Sequence, residues 1–181
     1  ELQINSINNL VEIGCGYGRL LSLLSDKGKT VTGIDFSKSL IDKAKFNLSK
    51  KKNVKILEMN AAKLNFDDNA FDFVLCLDAS FGNMPNIEEQ VLKEMKRVCK
   101  IGGTLIISVF SENAKKAQME NYKRIGLTNI KDDGIAVHTS EGLYSRRFSK
   151  NELDELFFKI SLKCKISKLS KINYIAIAKK V

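Results

Sequence analysis

The stretch Val11-Glu12-Ile13-Gly14-Cys15-Gly16-Tyr17-Gly18-Arg19 sets three glycines at alternate positions directly after an apolar run. Glycine there lets the backbone take positive φ and leaves no Cβ between main chain and ligand. If a helix follows, its first N–H groups face that ligand without intrahelical partners. This is chemistry for holding a polar ligand. Asp35 ends the next apolar run, seventeen residues after Gly18. A carboxylate at that place can accept hydrogen bonds from both hydroxyls of an adenosine ribose. A ligand-free account also exists, in which the glycines make a tight strand-to-helix turn and Asp35, in Asp-Phe-Ser-Lys-Ser, caps the next helix. Both features fall together where a parallel sheet has its carboxyl edge, which favours the binding reading. Spacing then separates cofactors. The dinucleotide fingerprint is G-x-G-x-x-G, whereas here Arg19 occupies the third glycine position and the pattern closes early as G-x-G-x-G, which argues against NAD.

Reactive side chains are few elsewhere. His138 is the sole histidine and lies near Tyr144, Arg146 and Arg147. It is a candidate general base for a hydroxyl or amine acceptor, or an inert strand-edge histidine. Tyr144, Arg146 and Arg147 suit a carboxylate or phosphate, or are exposed polar positions of a β-meander. Asp132 and Asp133 look like a turn, and no His/Cys/Asp cluster has metal-ligand spacing, so no metal is expected. Cys15, Cys76, Cys99 and Cys164 show no CxxC spacing, which favours reduced thiols in a cytoplasmic protein.

The elements that must position these residues follow from hydrophobic periodicity. Leu10 to Ile13 reads as a strand and Leu20, Leu21 and Leu24 as one helical face. Thr30 to Ile34 is a second strand, with Leu40, Ile41, Ala44 and Leu48 on the helix after it, and Val54 to Leu57 a third. Phe71 to Leu77 is a fourth. Val91, Met95 and Val98 mark the next helix, which Asn86 followed by Glu89 would open with a capping box. Gly102 and Gly103 lead into a fifth strand, Thr104 to Phe110. Strands and helices alternating over about 100 residues predict a parallel sheet with helices on both faces. After a helix near Ala114 to Arg124, the stretch Leu127 to Phe148 carries Asp-Asp-Gly and Ser-Glu-Gly turn signals and reads as an inserted meander, a small β-rich cap. Leu153, Leu156, Phe157 and Ile160 form a last helical face, and Leu162 to Ile166 with Asn173 to Ala178 a closing antiparallel hairpin.

With 181 residues, 44% of them hydrophobic and 28% charged, the chain suits one domain spanning 1–181, with the insertion near 111–148. No apolar run approaches the ~18 residues of a membrane span, and no signal peptide is visible. The net charge of +9 would attract nucleic acid, anionic lipid or an acidic substrate, but the excess is mostly scattered lysine, which favours a solvated surface.

On these residues the sequence closely resembles the class I S-adenosylmethionine-dependent methyltransferases. Glu12 to Gly18 is similar to their first motif and Gly33-Ile34-Asp35-Phe36-Ser37 to their second. Asn60-Ala61 with Leu64-Asn65-Phe66 and Asp68 to Asp72 is similar to the third, and Leu92 with Glu94 to Gly103 to the block before the fifth strand. The resemblance implies an α/β, Rossmann-like, doubly wound and mostly parallel seven-stranded sheet with an antiparallel C-terminal hairpin. It implies S-adenosylmethionine as cofactor, with Gly14, Cys15, Gly16 and Gly18 at its methionine part and Glu12 ordering the loop or reaching the amino group through water. Asp35 would bind ribose, Phe36 pack on adenine, and Asn60 and Ala61 face the adenine edge. Leu77 and Asp78 would lie near the transferred methyl. Asn60 stands where an acid is common, and Ile101 where proline is usual. Relatives commonly carry helices before the first strand and this chain opens with Glu1, so residues preceding Glu1 are expected in a longer protein.

The segment Asp78-Ala79-Ser80-Phe81-Gly82-Asn83-Met84, where the family meets its acceptor, lacks the Asn/Asp-Pro-Pro-Tyr/Phe motif, and the sole proline is not followed by cysteine. Methylation of base amines, glutamine amides and cytosine rings is thereby disfavoured. A small-molecule acceptor is the expectation; RNA, perhaps tRNA, and a non-enzymatic S-adenosylmethionine-binding protein are the alternatives.

Overall fold

A computed structural model describes residues 7–140 and 142–181. Glu1 and the Glu141 of the expected Ser-Glu-Gly turn lie outside the described residues. The chain alternates from the start: β1 (Ile7–Ile13), α1 (Arg19–Leu24), β2 (Gly28–Asp35), α2 (Lys38–Asn47) and β3 (Val54–Glu58). It continues through β4 (Phe71–Cys76), a 3-10 turn (Ser80–Asn83), α3 (Glu88–Val98) and β5 (Cys99–Ser111). After these come a 3-10 turn (Glu112–Ala114), α4 (Lys115–Arg124), β6 (Lys131–Asp132), β7 (Ala136–His138) and β8 (Tyr144–Phe148). The chain closes with α5 (Lys150–Lys159), β9 (Cys164–Lys168) and β10 (Asn173–Lys179).

Seven strands form the expected sheet in the order β3-β2-β1-β4-β5-β10-β9, and in this set β10 runs antiparallel to its neighbours. Period-two alternation sends successive residues to opposite faces. Leu10, Leu75 and Ile106 join Leu21 of α1 and Ile41 of α2 in one core. Val11, Val74 and Leu105 join Val91, Met95 and Val98 of α3 and Leu153 and Phe157 of α5 in the other. Gly33 of β2 lies beneath α1, where an added Cβ would come within 2.9 Å of Cys15 Sγ and clash with Leu21. Its missing side chain is what lets α1 and the loop before it press onto the sheet.

The meander is present as β6, β7 and β8, mutually antiparallel, and it is tied to the main sheet. Phe110 and Ser111, at the end of β5, pair in parallel with Arg147 and Phe148 of β8. β4 pairs with β5 only as far as Cys76 opposite Ile107, so β8 takes up the side of β5 that β4 leaves free beyond its carboxyl end. One face of β8 rests on α4, where Gln118 Nε2 and Tyr122 Oη both donate to Ser145 Oγ, at 3.1 and 2.8 Å. On the other face, Phe148 meets Phe81 at a centroid distance of 5.7 Å.

Two local expectations are corrected. Asn86 does not cap α3: it sits at φ 66°, Ile87 takes the cap position, and no side-chain cap is made. The reciprocal capping box belongs to α5, where Ser149 Oγ accepts from Glu152 N–H and the Glu152 carboxylate accepts from Ser149 N–H. Leu40 is exposed, so the buried stripe of α2 reduces to Ile41 and Ala44, with Leu48 at its cap. Gly33→Ala is expected to cost about 1–3 kcal/mol by overpacking, and Ser149→Ala about 1 kcal/mol by loss of the cap, both read from urea unfolding midpoints.

Candidate cofactor site

β1 lies between β2 and β4, while the chain leaves it first outward through β2 and β3 and then returns through β4 to the other side. Connections therefore diverge at the carboxyl ends of β1 and β4, the crevice where open parallel sheets bind ligands. The glycine loop sits there. Gly14, Gly16 and Gly18 all have positive φ, 74°, 54° and 86°. At Gly14 a Cβ would also meet Ser80 Cβ at 2.8 Å, so only glycine fits between the loop and the 3-10 turn after β4. Ser80 Oγ donates to the Gly14 carbonyl at 3.1 Å and joins the two.

Asp35 is buried at the end of β2. Its carboxylate accepts the Gly16 N–H at 2.9 Å and the Ser37 N–H at 2.9 Å, so it anchors the glycine loop and the start of α2 together. Phe36, next in sequence, is 80% exposed beside that anchor. Asn60 is exposed after β3, and its side-chain carbonyl accepts the Ala62 N–H at 2.8 Å; Ala61 is half-buried between them. The loop carrying Asn60 and Ala61 is held from α3. Arg97 donates to the carbonyls of Leu64 and Phe66 and to Asp68, and Glu94 accepts the Leu64 N–H. The resemblance around Glu94 to Gly103 thus has a physical content the sequence did not state.

Leu77 is half-buried and Asp78 exposed where β4 ends. Asp78 and Ala79 take φ of 57° and 63°, two successive left-handed residues that are not glycine, and Ser108 Oγ accepts the Asp78 N–H at 2.9 Å. Arg19, the first residue of α1, reaches across to Asp78 Oδ2 at 2.7 Å. Cys15 is buried in the loop, and burial first, then the Glu12 charge, pushes its thiol up to about 12, which leaves it inert as a nucleophile.

Glu12 is 2% exposed, and its Oε2 has no hydrogen-bond partner among the described residues. Burial first, then the Asp78 carboxylate, raises its pKa from the ordinary 4.5 to about 8, with Asp35 adding and Arg19 opposing. A buried carboxylate with an unused oxygen beneath a glycine loop is a place for a cationic ligand group.

His138 and Tyr144 stand opposite each other in the β7–β8 pair, on the face that also carries Arg146 and Phe148. His138 Nε2 is 3.9 Å from Asp133 Oδ2. Arg146 and Arg147 are not the exposed positions that one reading of the sequence allowed. Arg146 bridges Glu88 at the start of α3 and Glu152 at the start of α5, both at 2.9 Å. Arg147, on the other face, pairs with Asp132 at 2.7 Å and donates to Gln118 Oε1 at 2.8 Å in a buried network. Asp132 and Asp133 do form the expected turn, accepting the N–H groups of Gly134, Ile135 and Ala136. Sequence reasoning missed the partners of Arg19, Arg97, Arg146 and Arg147. Of these, only Arg19 carried a local signal, its place directly after the glycines.

A family model described as a methyltransferase domain matches residues 11–107, more than half of the chain. The chain belongs to the class I S-adenosylmethionine-dependent methyltransferase family. This methyltransferase domain is similar to the demethylmenaquinone methyltransferase of Staphylococcus aureus, 38% identical over 111 residues that cover 59% of this chain and 44% of that protein. The chain spans less than half the length of the curated relatives it matches. Among solved structures, a S-adenosylmethionine-dependent methyltransferase of Methanosarcina mazei superposes with a TM-score of 0.72 at 23% identity, over 96% of this chain and 92% of that one. The 1,6-didemethyltoxoflavin-N1-methyltransferase of Burkholderia thailandensis, solved with 1,6-didemethyltoxoflavin and S-adenosylhomocysteine, gives 0.74 at 16%, over 98% and 73%. At these identities the two structures show the shared fold. No helix among the described residues is long and apolar enough to cross a membrane.

The folded protein holds the Glu12 proton more tightly than the unfolded chain does. Stability is therefore undiminished by this group below about pH 4.5 and falls as the pH rises towards about 8. Glu12→Gln is expected to remove that slope, so thermal melts of the ligand-free protein should favour the variant increasingly from pH 5 to pH 8. A difference constant with pH would refute burial as the cause.

Proposed function

We propose that this chain, as one domain with the segment near 111–148 forming its acceptor-side wall, transfers a methyl group from S-adenosylmethionine to a small-molecule acceptor. The observation that carries this reading is the convergence at the β1/β4 crevice of the glycine loop, the Asp35 anchor and the unpartnered Glu12 carboxylate, in a chain of this family.

The residues present fit the cofactor. The Glu12 Oε2 without a partner suits an ammonium group, reached directly or through water. Gly14, Cys15, Gly16 and Gly18 give a main-chain surface along the methionine part. Asp35 gives one oxygen to the Gly16 N–H and the other to the Ser37 N–H, and can accept ribose hydroxyls on its remaining lone pairs. The exposed Phe36 ring is an apolar plate for adenine, and Asn60 and Ala61 face its edge. Leu77 and Asp78 flank the methyl-bearing end.

When bound, S-adenosylmethionine supplies an electrophilic methyl on a sulfonium. The work left to the chain is alignment and exclusion of water, which by themselves contribute large rate factors to an in-line displacement. Ser80 fixes the acceptor segment to the loop through the Gly14 carbonyl, and Phe81 packed on Phe148 ties that segment to the meander. His138, beside Tyr144 on this meander face, is the candidate to take a proton from a hydroxyl or amine acceptor. The small-molecule class is supported by the names of the Staphylococcus aureus and Burkholderia thailandensis proteins. Arg146 and Arg147, on which an RNA reading leans, are engaged in internal pairs.

Isothermal titration of the purified protein with S-adenosylmethionine is expected to show saturable binding. Asp35→Ala should weaken it roughly 10- to 100-fold, the range for hydrogen bonds to a charged group. Unchanged affinity would remove Asp35 from the ribose site. Methyl transfer to quinol-like or heterocyclic acceptors, with no tRNA shift in low-salt gels, is the expected pattern; a salt-dependent tRNA complex would reverse the acceptor assignment.

A further inference from the structure

Arg19 has no role among the residues assigned from the family motifs, yet its pair with Asp78 spans the crevice. It joins elements 59 residues apart at 2.7 Å, with side chains 51% and 68% exposed. A pair this exposed contributes little to stability and is easily opened. Its geometry is nonetheless built. Asp78 is held in a left-handed conformation that non-glycine residues adopt at a cost, by the bond from its N–H to Ser108 Oγ and by the equally left-handed Ala79 after it. Arg19 is placed by the glycine loop, whose Gly18 caps α1 with φ 86°.

The charges acting on Glu12 are the carboxylates of Asp78 and Asp35 and the guanidinium of Arg19. At this corner Glu12 and Asp78 share a single cation. A ligand end carrying one ammonium and one carboxylate on the same carbon would complete it. Its carboxylate takes the guanidinium, and its ammonium takes the place the guanidinium leaves at Asp78, within the field of Glu12, whose Oε2 has no partner among the described residues. One exposed ion pair is thereby exchanged for two.

We propose that Arg19 is the residue that binds the cofactor's carboxylate, and that the Arg19–Asp78 pair is a latch opened by this exchange. The inference rests on the cofactor assignment under Proposed function and adds a selection rule to it: the site distinguishes ligands with an intact amino-acid end from adenosine thioethers without one. Bidentate recognition of a planar carboxylate is what a guanidinium offers and an ammonium does not.

The test titrates wild-type protein, Arg19→Met and Arg19→Lys with S-adenosylhomocysteine and with 5′-methylthioadenosine, which keeps the adenosine and the thioether but lacks the amino-acid end. Arg19→Met is expected to weaken S-adenosylhomocysteine roughly 10-fold or more, as the loss of a charge-assisted bond implies. It should leave 5′-methylthioadenosine within about twofold, which also reports that the variant's site is folded. Arg19→Lys should recover part of the loss. Equal weakening of both ligands would make Arg19 a structural residue and overturn the proposal, as would no weakening of either. If the wild-type protein bound neither ligand, the cofactor assignment itself would fall; binding of both with a silent Arg19→Met would remove this inference alone.

Discussion

The Asp35 carboxylate is shared between two backbone N–H groups on different elements, Gly16 in the loop after β1 and Ser37 before α2. Both donors come from points where regular structure breaks off, one a left-handed glycine turn and the other a helix start. Without that carboxylate they would turn to solvent, and the loop would be held to β2 only at its start, by the Gly14 and Cys15 N–H groups donating to the Ile34 carbonyl at 2.9 Å. The rest of the crevice is arranged around it. Gly33 lets Cys15 and Leu21 settle onto β2 from above, and Ser80 ties the segment after β4 to the Gly14 carbonyl. Three strand ends are thus held in register by two side chains and one missing side chain.

The second feature of this edge is an imbalance of charge in a chain whose overall charge is +9. Glu12, Asp35 and Asp78 meet where β1, β2 and β4 end, with Arg19 opposing them at Glu12. Elsewhere, several basic side chains serve the fold. Lys96 donates to the Ile160 carbonyl at the end of α5, and Lys180 to the carbonyls of Arg97 and Cys99 where α3 passes into β5. An acidic crevice in a basic protein suits a cationic cofactor.

The meander shows how position changes the meaning of a residue. Arg146 and Arg147 are neighbours in sequence, yet strand alternation sends one to the acidic starts of α3 and α5 and the other beneath α4. Together they fasten β8 at the carboxyl end of β4, beside the acceptor segment. A run of two arginines carries no sign of which partners wait on each side, because those partners lie up to 58 residues away.

The strand and helix order was legible because each apolar run and each helical stripe carries its own period, and the glycine loop and Asp35 were legible because turn chemistry and strand ends are local. The start of α3 was misread for a related reason. Asn86 and Glu89 have the spacing of a capping box, but Asn86 takes a left-handed φ that moves the cap to Ile87, while the spacing at Ser149 and Glu152 meets an extended backbone and closes the box. What the sequence by itself determined was the α/β order, with the glycine loop at the end of β1 and an acid at the end of β2. What only the tertiary structure decided was which charges face one another: Glu12 with an Oε2 that has no partner among the described residues, Arg19 against Asp78, and Arg97 holding the loop after β3. Those pairings depend on distances across the sheet, which short-range sequence patterns do not encode.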